Sequence, residues 1–533
     1  MLPLEQLTVG EFLHRAVERH GSRAAVWYDD ITWTYADLER ETERCGAALA
    51  GLGVTKGFHV GIWGEIEPEL LFAFYAAQRM GAVTVMINTN LVDDEITDLL
   101  RNHDVHLLLV GKSYKTGRNL AEGRVSVLTA AGVERIMSLG ETSVPEFPAF
   151  RELVEQATEE QRAAVREMER AVTPSDTAAI LFTSGSISAP KGVMSSHYSR
   201  VNSGIQQADD LRATSEDRFC ITMPVFHCFC ISVNLMASVA SGACLCIPKD
   251  RHIQSILDTV EKCRCTVLSS VPTMYHAMLS RNKMAGRDIS SLRIGFIGGA
   301  NYPPESFIRI EQAIGPQFTL MSSLGQTECT AGITTSSVDD SIEVRSVTVG
   351  HFMSHVEGRI ADIHTGETLP LGQKGEICAR GYTNMQGYYG RPDLTAETID
   401  AEGWVHTGDL GILDENGNVT LAGRLKELII RGGENISPSE IELALSRMPE
   451  AANSKVVGVP DDHYGEEVCA CVIPAEGAAL TEAGVRDFLR QHLAEYKLPR
   501  YVLFFDSFPA TATGKIKPTL VRKAALERLG MQG

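Results

Sequence analysis

From residue 24 onward the chain alternates short apolar stretches with longer amphipathic ones, which restricts it to folds built from parallel sheets with helices on their faces. The segments Ala24-Ala-Val-Trp-Tyr28, Thr32-Trp-Thr-Tyr35, His59-Val-Gly-Ile-Trp63 and Ala82-Val-Thr-Val-Met86 read as strands. Residues 37–51 and 67–80 repeat apolar side chains every three or four positions and predict helices. A second round begins at Leu107-Leu-Leu-Val110, and a charged helix predicted over 150–172 runs through the linker Thr173-Pro-Ser-Asp176 into another strand. Near residue 350 the texture changes to short strands with Gly-rich turns, and Asp414-Glu-Asn-Gly417 between two apolar runs is a hairpin signal. After Lys426 the α/β texture returns, with helices predicted over 439–445 and 482–493 and strands over 454–459 and 467–472. This predicts a separate C-terminal lobe of about 100 residues.

A chain of 533 residues has room for several cores, at roughly 150 residues per domain. Its net charge of -19 disfavours nonspecific nucleic acid binding, so any phosphate-bearing ligand needs a local positive site. The opening residues Met1-Leu-Pro-Leu-Glu-Gln-Leu7 carry an acid where a secretory signal has a basic region, and no apolar run approaches the ~18 residues of a membrane span. A cytoplasmic protein without integral membrane association is the expectation. The pairs Cys228/Cys230, Cys244/Cys246, Cys263/Cys265 and Cys469/Cys471 all have C-x-C spacing, which reads as small apolar residues packed on strand faces. His227 with Cys228 and Cys230 is the one place where a metal suggests itself, and no second ligand pair lies near it in sequence.

The most specific stretch is Thr183-Ser-Gly-Ser-Ile-Ser-Ala-Pro-Lys191, which follows the apolar run Ala178-Ala-Ile-Leu-Phe182. A strand ending in hydroxyls, a glycine and a lysine offers short donors, bare backbone N–H groups and one movable cation to a phosphate. Because Pro190 precedes Lys191 and Gly192 follows it, this is not the G-x-x-x-x-G-K-[ST] loop. Alone, the segment reads equally well as a surface turn. Further segments follow in order: Pro224-Val-Phe-His227, Gly298-Gly-Ala300, Leu324-Gly-Gln-Thr-Glu328, Gly403-Trp-Val-His-Thr-Gly-Asp409, Gly423-Arg-Leu-Lys-Glu-Leu-Ile-Ile-Arg-Gly-Gly433 and Thr513-Gly-Lys-Ile-Lys517. The ordered set resembles the adenylate-forming superfamily of acyl-CoA synthetases, luciferases and peptide-synthetase adenylation domains. Within it, Arg431-Gly-Gly-Glu-Asn-Ile436 and Gly465-Glu-Glu-Val-Cys-Ala-Cys471 look closest to the medium-chain fatty acyl-CoA ligases.

The resemblance implies a large N-terminal AMP-binding domain over 1–424, made of α/β subdomains plus a small β-rich one, a hinge at 425–428, and a mobile α+β lobe over 429–533. It implies an ATP-dependent reaction in two halves. A carboxylate attacks the α-phosphate to give acyl-AMP and pyrophosphate, and the coenzyme A thiol then displaces AMP. Lys515 matches the lysine that bridges carboxylate and α-phosphate. Thr183, Ser184, Gly185, Ser186, Ile187, Ser188, Ala189, Pro190 and Lys191 form the phosphate loop, Thr327 contacts phosphate, and Glu328 helps to hold Mg²⁺. Gly299, Ala300, Ser322, Ser323 and Leu324 border the adenine, while Asp409 and Arg424 reach the ribose. His227 stands at the entrance to the acyl pocket, with a buried structural histidine as the alternative. Lys426 matches the hinge position, and Gly432 and Gly433 line the path of coenzyme A.

Ile187 and Ser188 stand where the family usually has Thr then Gly, and Leu324 replaces an aromatic that stacks on adenine. Each change costs nucleotide binding about 1 kcal/mol by ordinary hydrogen-bond and aromatic magnitudes. The segments expected to line the acyl pocket, 227–235, 297–300 and 322–329, contain no Lys or Arg, so a neutral apolar acid is expected, a medium-chain fatty acid first and an aromatic acid second. Transfer to a carrier-protein thiol, or a nucleotide-binding protein without turnover, are the competing readings. Partners beyond the acid, ATP and coenzyme A are not implied, and a homodimer is left open.

Overall fold

The computed structural model describes residues 2–113, 116–140, 147–183, 190–280, 284–300, 302–431, 434–461, 464–509 and 516–531. The chain forms two compact units, one of residues 1–358 and 379–405, the other of residues 359–378 and 406–533.

The first unit contains two sheets. In the seven-stranded sheet the order is Gly387–Tyr388, Lys191–Ser196, Thr177–Thr183, Val83–Met86, His59–Trp63, Leu107–Val110, Arg135–Ser138. Its last five strands run parallel, and the pairs at the Lys191–Ser196 end are antiparallel. The nine-stranded sheet has a parallel centre through Ala24–Tyr28, Cys244–Cys246, Arg218–Cys220, Val267–Leu268, Ile294–Ile297 and Thr319–Leu324. One continuous core joins a face of each sheet to the helices between them: Val60, Ile62 and Leu181 come from one sheet, Val26, Phe219 and Phe296 from the other, and Leu49, Phe74 and Val201 from helices. The opposite faces are closed by Ile256, Phe307 and Ile310 on the larger sheet and by Ile96, Leu99 and Leu128 on the smaller. Parallel strands covered on both faces explain their nearly continuous apolar runs.

Two expectations change in detail. The predicted helix over 150–172 is two helices, Phe150–Glu155 and Glu159–Arg170, because Thr158 caps the second and Gln161 completes a capping box. Tyr35 opens the helix Tyr35–Gly51 instead of ending a strand, since Thr34 and Asp37 form the same device. The C-x-C reading holds for Cys244/Cys246 and Cys469/Cys471, which lie on strands. It fails for the others. Cys263 ends a helix and is separated from Cys265 by Arg264 in a left-handed conformation, while Cys230 starts a π-helical turn, Cys230–Met236. All twelve cysteines are thiols.

The second unit holds most of a four-stranded sheet in the order Val356–Ala361, Lys374–Gly381, Val405–Leu413, Val419–Arg424, and the predicted hairpin joins the last two. Its other sheet is built on the long antiparallel pair Ala451–Asp461 and Gly465–Pro474, with Tyr501–Phe504 added in parallel. Helices Pro438–Leu445 and Glu482–Arg490 close one small core and Pro518–Leu529 another. Residues 425–427 form a single 3-10 turn in this unit. No described helix is long and apolar enough to cross a membrane.

Candidate active site

In the first unit the expected residues collect at the carboxyl ends of parallel strands, where open α/β sheets bind ligands. Thr183 and Lys191 stand opposite each other at the end of their antiparallel pair, so the phosphate segment is the connection of a hairpin. Ser184, Gly185, Ser186, Ile187, Ser188 and Ala189 lie outside the described residues. Lys191 Nζ sits 4.5 Å from the centre of the Tyr388 ring, a cation on an aromatic face. The Tyr388 hydroxyl donates to Glu328 Oε1 at 2.8 Å. Burial and the Glu328 charge push the Tyr388 hydroxyl far up, so it stays protonated and remains a donor. Lys191, Tyr388 and Glu328 are thus a connected chain, and Tyr388 was not foreseen. Its only sequence signal is the G-Y-Y triplet 387–389 after a Gly-rich stretch.

Thr327 and Glu328 belong to a 3-10 turn that follows the strand Thr319–Leu324 and packs against the strand Thr177–Thr183. The turn requires Gly325, where a Cβ would lie 1.8 Å from the Ala331 carbonyl oxygen. Thr327 Oγ1 is 3.7 Å from Cys228 Sγ, which brings the segment 224–228 to the same place. His227 closes a turn onto the Pro224 carbonyl and stacks at a tilt on Phe226. Gly299 and Ala300 are exposed beyond the strand Ile294–Ile297, whose Ile297 is level with Ser322 on the neighbouring strand. Gly299 takes φ +81°, and the backbone of Gly298 comes so near Ser323 that a Cβ would meet its carbonyl oxygen at 2.8 Å. The side chains of Ser322 and Ser323 are engaged with the Thr348 and Thr334 carbonyls, so what this edge offers an adenine is backbone and Leu324.

In the second unit Asp409 and Arg424 are directly opposite on paired strands, with Arg424 Nε 2.7 Å from Asp409 Oδ1. Asp409 is buried and Arg424 exposed. The turn before Asp409 is held by Glu376, whose Oε1 accepts from the Gly408 N–H at 2.9 Å while Oε2 lies 2.8 Å from His406 Nδ1. Thr407 Oγ1 adds a bond to the Ile377 carbonyl at 2.6 Å. Sequence reasoning missed Glu376. Among the described residues, Glu376, Cys378 and His406 are also the group with three metal-ligating atoms within 4.8 Å, rather than His227, Cys228 and Cys230. The Glu376 bonds to Gly408 and His406 give it a structural task of its own. Lys426 is exposed in its 3-10 turn. Gly432, Gly433 and Lys515 lie outside the described residues.

Residues 13–389 match the family model for AMP-binding enzymes, and residues 440–515 match the model for the C-terminal domain of the same enzymes. The chain belongs to the AMP-binding enzyme family. It is 33% identical to the 3-[(3aS,4S,7aS)-7a-methyl-1,5-dioxo-octahydro-1H-inden-4-yl]propanoyl:CoA ligase of Rhodococcus jostii, over 97% of this chain and 98% of the relative. It is 30% identical to the mitochondrial medium-chain acyl-CoA ligase ACSF2 of Danio rerio, over 99% of this chain and 90% of the relative. The o-succinylbenzoate CoA synthetase of Bacillus subtilis, solved with its acyl-adenylate intermediate, superposes with a TM-score of 0.80 at 25% identity, covering 98% of both chains. This AMP-binding enzyme is therefore an acyl-CoA synthetase with the α/β architecture of the adenylate-forming enzymes, an AMP-forming acid–CoA ligase using ATP and coenzyme A.

Proposed function

We propose that this synthetase activates a carboxylic acid of medium chain length in the cytoplasm, with the residues named above in the roles that their family positions imply. The observation that carries the assignment is the chain from Lys191 through Tyr388 to Glu328, set against Thr183 at the hairpin mouth. It puts a cation, a fixed hydroxyl and a carboxylate at one corner, which is what an anion approaching a polyphosphate requires. Tyr388 holds Oε1 of Glu328 and orients the carboxylate. A carboxylate beside the Thr327 hydroxyl suits Mg²⁺, which takes hard oxygen ligands and shares them with phosphates. When bound there, Mg²⁺ would screen the phosphate charge.

Lys191 would steady the β- and γ-phosphates, and Lys515 would meet the α-phosphate together with the incoming carboxylate. Asp409, ion-paired with Arg424, would accept hydrogen bonds from the ribose hydroxyls. His227 would orient the acid, and rotation about Lys426 would exchange Lys515 for Gly432 and Gly433 before thioester formation. The medium-chain preference draws on the resemblance to ACSF2 and on the apolar residues Phe229, Ile231 and Val233 that follow His227.

The test is release of AMP and pyrophosphate from Mg²⁺-ATP across straight-chain C4 to C16 acids and benzoate, with and without coenzyme A. Coenzyme-A-dependent AMP formation that peaks between C6 and C12 and disappears in Lys515→Ala is expected. Turnover only with a phosphopantetheinylated carrier protein, or ATP binding without pyrophosphate release, would overturn it.

A further inference from the structure

The helix His197–Asp210 is buried along most of its length although it is rich in polar residues. Several of its side chains find partners inside the fold, although His197 Nε2, Gln206 Oε1, Gln207 Oε1 and Asp210 Oδ2 are left without one, and Arg200 is the helix's cation. Asn202 donates to the Glu5 and Tyr198 carbonyls, Ser203 to the Thr330 carbonyl, and Gln206 to the Leu2 carbonyl. Arg200 differs. Its side chain is among the largest fully buried ones, at 1% exposure, and among the described residues its one side-chain hydrogen bond runs from Nε to Ser195 Oγ at 2.8 Å. Nη1 has no partner, and among the described residues no carboxylate pairs with the guanidinium. Burial lowers its pKa to about 10, which leaves it charged at neutral pH. A buried arginine is normally matched by an acid, and one without a counter-ion is a place where an anion is missing.

The guanidinium lies near the Cys228 thiol, which burial keeps protonated and which therefore supplies no counter-charge. Cys228 follows His227 on the segment assigned to the acid, and its Sγ is 3.7 Å from Thr327 Oγ1. The π-helical turn Cys230–Met236 continues that segment and packs on the Arg200 helix. It carries a second unsatisfied group: Asn234 is fully buried, and neither its amide nitrogen nor its oxygen has a partner. Arg200 lies on a helix outside the pocket segments that contain no Lys or Arg, so a reading limited to those segments passes over it.

We propose that Arg200 is a specificity residue that binds a second carboxylate on the acid, making the preferred substrate a dicarboxylic acid instead of a plain fatty acid. This deepens the ligase reading and rests on it. The guanidinium presents paired donors in the plane that a carboxylate matches. Its bond to Ser195, at the end of the strand pair opposite Thr183 and Lys191, and the packing of its helix on the turn Cys230–Met236 favour the acid over the phosphates of ATP as the source of the anion. Reaction at one carboxylate leaves the other charged in the adenylate and in the thioester, so Arg200 stays paired through both half-reactions.

The experiment compares C4 to C12 monocarboxylic acids with α,ω-dicarboxylic acids of the same length in coenzyme-A-dependent AMP formation by the full-length enzyme. The expected result is a kcat/KM at least tenfold higher for the diacid at the best length. Arg200→Met should remove that preference by raising the KM for the diacid while leaving the KM for ATP unchanged, and Arg200→Lys should restore part of it. Thermal melting of each variant separates loss of fold from loss of recognition, and the wild-type comparison stands if a variant fails to fold. A wild-type preference for the monoacid at every length overturns the inference while leaving the ligase intact, as does a rise in the KM for ATP in Arg200→Met with every acid. Silence with all acids would instead count against the ligase reading.

Discussion

Two arginines buried in the first unit are held in opposite ways. Arg79, 3% exposed, ends the helix Pro68–Arg79, and its Nε and Nη2 meet the two oxygens of Glu169 at 3.1 and 3.0 Å. Nη1 donates to Thr42 Oγ1 at 3.3 Å, Glu169 also meets His14 Nε2 at 3.0 Å, and His14 Nδ1 turns to Glu39. Each charge in that cluster has its opposite inside the chain. Arg345 repeats the pattern with Glu311 and the Leu320 carbonyl. Arg200, equally buried, has one hydroxyl among the described residues. Burial alone therefore does not distinguish a structural arginine from a functional one. The distinction is whether the fold supplies the counter-ion, because a fold that supplies none has left the position to something else.

The largest effect that can break this comparison is on stability. Arg79→Met leaves Glu169 buried beside His14 alone, and should cost about 3–5 kcal/mol in denaturant unfolding. Arg200→Met replaces an unpaired buried charge by an apolar side chain of similar length, and should be neutral or stabilising. Equal destabilisation by the two substitutions would make Arg200 a structural residue, and the contrast would vanish.

The difference between the two arginines also marks what could be read from sequence. Strands such as His59–Trp63 and Leu107–Val110 match their predicted limits because buried parallel strands are continuous apolar runs. The break at Thr158 was visible as T-x-x-Q, but the surrounding helical periodicity outweighed it. Thr327, Glu328, Asp409 and Arg424 were recognisable as candidates because motifs carry them in short segments. Glu376 and Tyr388 were not, since each acts on a residue 32 or 60 positions away, Gly408 and Glu328 respectively. Arg200 was hidden for a further reason: a polar helix reads as a solvated one until the fold buries it.

A smaller effect sharpens the contrast at the other end of the same helix. Asp210 Oδ2 is enclosed without a partner, and burial, with neighbouring Asp209 adding to it, pushes its carboxyl up to about 7. That exceeds the unfolded value near 4, so the folded state holds an extra proton between about pH 4 and 7. Stability is therefore lost as pH rises through that window, and the loss is complete above it. Asp210→Asn should raise stability by on the order of 1–3 kcal/mol at pH 8 and by little at pH 4, as followed by urea unfolding at the two pH values. An equal gain at both would place the effect in packing instead of charge.

The smallest effect belongs to the paired cluster. Hydrogen bonds to Glu169 and then Glu39 raise the His14 pKa to about 9 against burial and the Arg79 charge. Because the folded value lies above the unfolded value of about 6.5, the imidazolium stabilises the fold fully below pH 6.5 and ceases to do so as pH rises through 9. The ring is 39% exposed, so solvent screening keeps the effect modest. His14→Gln should therefore be less stable than the parent at pH 6 and converge with it by pH 10. A difference that stays constant across that range would mean that His14 contributes by shape, and that Arg79 and Glu169 balance each other without it.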